Sequence, residues 1–379
     1  MSYQLESAEL FVREMPPDRL NFGIGKSSEG GKAKSAANRR PGAILLLRVQ
    51  VKTSDGRSAV GCSGDRPSFG WLDKRPGKSP EEKLTMLLDL VENSQEIYLE
   101  KGSNFASPFA LWQSAFSAVA AYGEDHDCED LMVSYASALL ERAVIDAVCR
   151  VEEKPFATMV REDRLGINAG SIHPELEGGQ FGDLFPVVPG ETFYIRHTVG
   201  LSDPIDDSDW TQDQRIGDGE PETLKEYAER DGLRYFKIKI SGNAPADLER
   251  LGTIWNRVLV YSDQPVITLD GNEAYTDIHS FEEFVDRFEE ELPGMFQHTL
   301  FIEQPLTRAL TLDPSTANSV QRIGAKKPMV IDEADGTTNA FREAFAIGYS
   351  GCSHKNCKGV FKSLLNYALI EGEDDEIEG

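Results

Sequence analysis

The chain is poor in cysteine and histidine, with five and six among 379 residues. Cys62, Cys128, Cys149, Cys352 and Cys357 are scattered and odd in number, which argues against a disulfide framework. Cys352 and Cys357 match no zinc spacing, and no second Cys/His pair accompanies them. They are expected to be reduced thiols that fill space in a cytoplasmic protein. Nor is there a run of about 18 apolar residues, so no membrane span is expected. The opening "MSYQLESAEL" has no basic region followed by an apolar core, so no signal peptide is expected. Basic residues are outnumbered, 39 Lys and Arg against 64 Asp and Glu, for a net charge of −25. That balance disfavours a nucleic-acid partner and suits a site built from carboxylates.

What is present divides into three stretches. Residues 1–152 read as an α+β domain. "AILLLRVQVKTSDGRSAVGCS" is two strands about a turn at Ser54–Asp55–Gly56. Two loops flank it: a Gly-, Ser- and Lys-rich stretch near 20–40, including the basic segment Lys26–Arg40, and "GDRPSFGWLDKRPG" near 64–77, with aromatics expected to be exposed. Ser79, Pro80 and Glu82 form a capping box that starts a helix. Further helices are expected near 107–122 and 129–151. Asp146, inside the last, reads as a buried carboxylate satisfied by a hydrogen bond. Residues 153–191, rich in Gly and Pro, read as a connecting segment.

From residue 192 to 379 strands and helices alternate through six β/α units, ending in the acidic stretch "EGEDDEIEG", which is expected to fray. Strict alternation predicts a parallel sheet with crossover helices, either doubly wound or a (β/α) barrel. No Gly-x-Gly-x-x-Gly follows the first of these strands, which weakens the dinucleotide-binding alternative.

The strand "LRYFKIKIS" raises a physical problem. Lys237 and Lys239 are two apart and therefore share one face of a strand. If that face points into the core, two ammonium groups are buried together, a costly arrangement unless something offsets it. The later strands supply the offset. Asp270 ends the third strand in "TLDGNEAY", Glu303 the fourth in "FIEQP", and Asp332 and Glu333 the fifth in "VIDEADG". Lys355 lies on the sixth in "SHKNCKG", with His354 and Lys358 beside it. The successive intervals Lys239 to Asp270, Asp270 to Glu303, Glu303 to Asp332 and Asp332 to Lys355 are 31, 33, 29 and 23 residues, each about one β/α repeat. Ionisable groups thus recur at the C-terminal strand ends, where parallel α/β proteins build active sites. A lone strand-end Asp is usually a turn residue, and a lone Lys-x-Lys usually a solvated face. The in-phase set is far more specific. Three carboxylates from adjacent strands make an all-oxygen site suited to Mg²⁺, and crowding is expected to lower a lysine's pKa towards that of a useful base.

"KIK", "LDGN", "IEQP", "IDE" and "HKNCKG", in that order, resemble the enolase superfamily, specifically its mandelate racemase/muconate lactonizing enzyme group. The resemblance implies a TIM-like (β/α) barrel with an N-terminal α+β capping domain, whose loops near 20–40 and 64–77 close over substrate. It implies that Asp270, Glu303 and Asp332 bind Mg²⁺, and that Lys239 and Lys355 are acid/bases on opposite faces. It implies that Lys237 steadies Lys239 and contacts the substrate carboxylate, while Asn272 and Glu333 stand behind the metal ligands. Gln304 is left as structural. The implied chemistry removes the proton α to a carboxylate through an enediolate. Two lysines suggest a racemase or epimerase; an acid-sugar dehydratase, a cycloisomerase and a non-catalytic relative that keeps the scaffold are the alternatives. The partners implied are a small-molecule carboxylate and further copies of the chain. Family barrels have eight strands, and six are visible here, so the barrel is expected to be incomplete at its C-terminal side.

Overall fold

The computed structural model describes residues 2–16, 42–178, 180–188, 190, 192–210 and 215–377, with side chains to 371. The stretch near 20–40 and the basic segment Lys26–Arg40 lie outside the described residues. The N-terminal part opens with an antiparallel sheet in the order β1 (Tyr3–Met15), β2 (Gly42–Thr53) and β3 (Ser58–Asp65). The hairpin between β2 and β3 turns at Ser54–Asp55–Gly56 as its sequence requires. β1 carries only partial alternation, so its sequence alone gives a weak strand signal; its pairing with β2, from Tyr3↔Thr53 to Met15↔Gly42, makes it a strand.

Four helices follow. α1 (Phe69–Leu72) is a single turn, and α2 (Pro80–Lys101) begins at the expected capping box. α3 (Pro108–Asp125) starts behind Ser107, whose hydroxyl accepts from Ala110 N. α4 (Asp130–Val151) is buried on nearly every side and fills the centre of the unit. Asp146 on α4 accepts hydrogen bonds from Cys62 N and Arg150 Nε, the hydrogen-bonding role expected of it, but it is not buried as expected: its side chain is 32% exposed, because this face of α4 reaches the surface beside β3. The segment 153–191 holds α5 (Phe156–Arg161) and several single turns. Its Met159, Val160, Leu165 and Phe181 join the N-terminal core.

The second part contains α6 (Leu224–Asp231), α7 (Ala244–Arg257), α8 (Ile278–Glu291), α9 (Pro293–His298), α10 (Arg308–Thr311), α11 (Ala317–Lys326), α12 (Ala340–Ile347) and α13 (Val360–Ile377). Between them run β4 (Arg196–Val199), β5 (Tyr235–Lys239), β6 (Val266–Asp270), β7 (Thr299–Glu303), β8 (Met329–Ile331) and β9 (Gly351–Cys352). α6 ends at Gly232 in the left-handed region, φ 59°, a conformation that costs glycine little. All neighbouring strand pairs are parallel, in the sequential order β4 to β9, which is α/β barrel topology with six strands present. Among the described residues, β4 and β9 are the two edges. The acidic C-terminal stretch, expected to fray, stays helical to Ile377.

Period-two alternation sorts these strands. Phe236, Ile238, Ile267, Leu269, Ile302, Met329 and Ile331 point to the helices and make the second core. The opposite face takes the polar side chains. The register sets Lys237 beside Thr268, Lys239 beside Asp270, and Asp270 beside Glu303. α13 belongs to both cores: Phe361, Leu365 and Ala368 pack into the first, Leu369 and Ile370 against the second.

Candidate active site at the strand ends

The strand-end groups pair with one another in two clusters, one around Asp270 and Glu303 and one around Asp332. Lys237 Nζ lies 2.6 Å from both Asp270 Oδ2 and Glu303 Oε2. Lys239 Nζ lies 2.6 Å from the same Asp270 oxygen and also donates to Asn272 Oδ1. Lys355 donates to Asp332 Oδ2, and Lys358 Nζ lies 3.2 Å from Asp332 Oδ1. Asp270, Glu303 and Asp332 are all fully buried. Each buried carboxylate therefore has at least one ammonium on it, which offsets the desolvation cost of both signs.

Burial works against the charge on Lys237, but Asp270 and Glu303 outweigh it and hold this ammonium above the ordinary lysine range. Lys239 goes the other way: burial lowers it, Asp270 only partly restores it, and the charge on Lys237 lowers it further. The expected lowering through crowding thus falls on Lys239 and not on Lys237. Burial also opposes the charge on Asp332, yet Lys358 and Lys355 hold its carboxyl well below the usual range. Lys239 and Lys237 likewise depress Asp270 against burial. Glu333 is pushed up, first by burial and then by Asp332.

The loop before α2 closes one side of the site. Its aromatics were expected to be exposed; instead Phe69 and Trp71 are half-buried, because the loop folds onto the strand ends. Glu333 Oε1 accepts from Trp71 Nε1 at 3.1 Å, from Lys74 Nζ at 2.8 Å and from Asn272 Nδ2 at 2.8 Å. The indole face of Trp71 also covers Lys355 Nζ, 4.7 Å from the ring centre. A cavity of about 640 Å³ lies between this loop and the strand ends, lined by Phe69, Trp71, Lys74, Lys239, Ser241 and Asn272 among others. Lys239 opens onto it, whereas Lys355 is not part of its lining.

The loops after β6 and β7 are strained. Asn272, Glu273 and Gln304 have φ of 44°, 66° and 36°, in the left-handed region that non-glycine residues seldom occupy. Gln304 shows what holds them. Its Oε1 accepts from Asp332 N at 2.7 Å and Ala334 N at 3.1 Å, while its Nε2 donates to Leu306 O and Thr311 Oγ1. The side chain read as structural thus fixes the loop that carries Asp332 and Glu333.

Four contributors were not read from the sequence. Lys358 was noted only as a neighbour of Lys355, although its 0% exposed side chain grips Asp332. Arg196 lies beneath the site, donating to Thr268 Oγ1 at 3.0 Å and standing 3.6 Å from Glu303 Oε2. Trp71 and Lys74 come from the loop. A basic residue in a turn-rich segment resembles any solvated lysine, and no local signal marks these out.

The donor chemistry fits a hard cation: three buried carboxylates on adjacent strands, with Glu303 Oε1 lacking any hydrogen-bond partner among the described residues. Their placement is different. Among the described residues, no group of three or more His, Cys, Asp or Glu side chains is arranged to hold a metal ion. Lys237 stands between Asp270 and Glu303. Among the described residues, no helix is long and apolar enough to cross a membrane.

No protein-family model matches the chain, and no curated protein does. Solved structures do. A mandelate racemase/muconate lactonizing protein from Herpetosiphon aurantiacus is 17% identical with TM-score 0.56, covering 97% of this chain and 80% of its own. A 2-chloromuconate cycloisomerase from Rhodococcus opacus is 16% identical with TM-score 0.56, covering 98% of this chain and 78% of its own. A dipeptide epimerase from Enterococcus faecalis is 12% identical with TM-score 0.53, covering 97% of this chain and 78% of its own. The chain therefore has the fold of the mandelate racemase/muconate lactonizing enzyme group of the enolase superfamily, a capping unit on a (β/α) barrel.

Proposed function

We propose that this chain, having that fold, is an enzyme of the group and removes the proton α to a carboxylate. One observation carries the reading: across β5 to β9 the strand ends present lysine, aspartate, glutamate, aspartate and lysine in spatial order. Three acids between two amines is an arrangement for stabilising a dianion and moving protons beside it. Asp270, Glu303 and Asp332 would hold Mg²⁺. That ion, when bound, supplies a Lewis acid for the charge that builds on the substrate carboxylate.

The residues of this chain do the rest. Lys239, its pKa lowered by burial, is poised as the base and faces the cavity. Asn272 orients it, and Glu333 in turn holds the Asn272 amide. Lys237 stays charged and offers its ammonium to the substrate carboxylate. Phe69 and Trp71 give the cavity an apolar wall, which keeps water from the reacting carbon. Lys355 is the acid/base of the other face. A racemase or epimerase needs both lysines, so the Trp71 segment must shift to bring Lys355 to the substrate. A dehydratase or cycloisomerase needs only Lys239 in reach. The proposal includes a small-molecule carboxylate substrate, a homo-oligomer and, from five unpaired cysteines, a cytoplasmic location.

The test is α-hydrogen exchange in D₂O over a panel of carboxylic acids and dipeptides with Mg²⁺ present. Deuterium uptake at the α-carbon is expected, and none with any member would overturn the reading. A second reading, a non-catalytic relative, is favoured by the lysines that already neutralise the acids. Calorimetric titration with Mg²⁺ separates the two: a folded sample that binds none is the non-catalytic relative.

A further inference from the structure

Lys237 occupies an unusual place. Its ammonium bridges the two strand-end carboxylates that the sheet register sets side by side, with Nζ 2.6 Å from an oxygen of each. Only 11% of its side chain is exposed. Among the described residues the remaining oxygen of Glu303 has no donor, so there this carboxylate is bonded on one side only. Asp332 is bonded instead by Lys355 and Lys358. The positive groups that face Lys237 are Lys239, which shares Asp270 Oδ2, and Arg196, which stands 3.6 Å from Glu303 Oε2.

We infer that Lys237 is a built-in cation that competes with a divalent metal ion for Asp270 and Glu303. The inference rests on the reading that these carboxylates hold such an ion. Its physical basis is simple. Two buried carboxylates side by side require positive charge between them, and here an ammonium supplies it. A dication on the same oxygens cannot share that point with an ammonium, because like charges at contact distance repel strongly in a buried site. Metal entry therefore drives Lys237 off the acids. The displaced ammonium turns to the adjoining cavity, where a substrate carboxylate would receive it. The lysine thus keeps the acid pair folded without metal and couples metal loading to the appearance of an anion-binding group.

The test uses the full chain with Mn²⁺ alone as the probe, free ion being read by electron paramagnetic resonance. Lys237→Met is expected to bind Mn²⁺ about tenfold more tightly than the unsubstituted chain, from the repulsion it removes. Lys239→Met and Lys355→Met, which each remove one charge from a single carboxylate, are expected to change it less. In parallel, native Lys237 is labelled with acetic anhydride and quantified by mass spectrometry; its labelling is expected to rise several-fold as Mg²⁺ saturates. Equal or weaker Mn²⁺ binding by a folded Lys237→Met, or labelling that is unchanged or falls, overturns the inference while leaving the metal reading intact, provided the unsubstituted chain binds. If no form binds Mn²⁺, the metal reading itself fails and takes this inference with it. Should Lys237→Met not fold, labelling of the unsubstituted chain decides.

Discussion

Gln304 concentrates the most structure in one side chain. It holds a strained backbone, φ 36°, and all of its amide bonds are internal. Gln304→Ala would leave the Asp332 and Ala334 amides without an acceptor, at a cost of about 2 kcal/mol or more. Urea unfolding should show that loss, and the conservative Gln304→Glu should not restore it, because a carboxylate cannot donate to Leu306 O. Lys239 is the residue on which the chemistry turns. Lys239→Met should slow α-deuterium uptake by about 10²–10⁴-fold, the usual worth of a positioned base. The sign of its pH dependence follows from the depressed pKa. The free amine is the active form, so the rate rises with pH and levels off below the ordinary lysine range of about 10.4. A rate that keeps climbing through that range would assign the base elsewhere. At this scale much was legible in the sequence. Lys237, Lys239, Asp270, Glu303, Asp332 and Lys355 stood out because strand ends recur at a fixed chain interval. Lys358, Arg196, Lys74 and Trp71 did not, because their roles come from contacts far apart in sequence, which no interval encodes.

Among the elements, the β/α units were legible from alternation, and the structure adds the caps: Thr223 with Glu226 starts α6, Asn243 starts α7 and Asp277 starts α8. β1 was not, because half of it faces solvent and only its partner strand fixes it. The contact between α4 and α13 carries its own prediction. Glu141 on α4 is fully buried and accepts from Phe361 N at 2.6 Å, at the start of α13. Burial pushes its carboxyl up to about 7, against the pull of the Phe361 and Val360 amides. A raised acid binds its proton in the folded chain where the unfolded chain has released it. Stability from this group is therefore complete below about pH 4.5 and is lost as pH rises through about 7, a fall of about 3 kcal/mol. Urea titrations at several pH values should show that slope in the unsubstituted chain and its absence in Glu141→Gln.

For the whole molecule, the sheet has two free margins among the described residues, β4 and β9. Just before β4 lie Phe193, Tyr194 and Ile195, 85%, 74% and 79% exposed. A free strand margin next to apolar side chains invites pairing with another chain. Sedimentation should show association that strengthens with concentration, and a Phe193→Ser, Ile195→Lys double variant should weaken it; a monomer at all concentrations would contradict the homo-oligomer. Six parallel strands were legible from alternation alone, and closure of the 64–77 loop over the strand ends was implied by the resemblance; the contacts that hold it there were not legible, since Lys74 and Trp71 find Glu333 across 259 and 262 residues. Close approach seals the same junction: a Cβ on Gly336 would come within 2.8 Å of Asp130 Cβ on α4, so any larger residue there would pry the halves apart. The placement of α13 in both cores has a mechanical meaning. It acts as a keystone: neither half can melt without stripping that helix from the other. Heating should therefore produce one calorimetric peak where two would be anticipated for independent lobes.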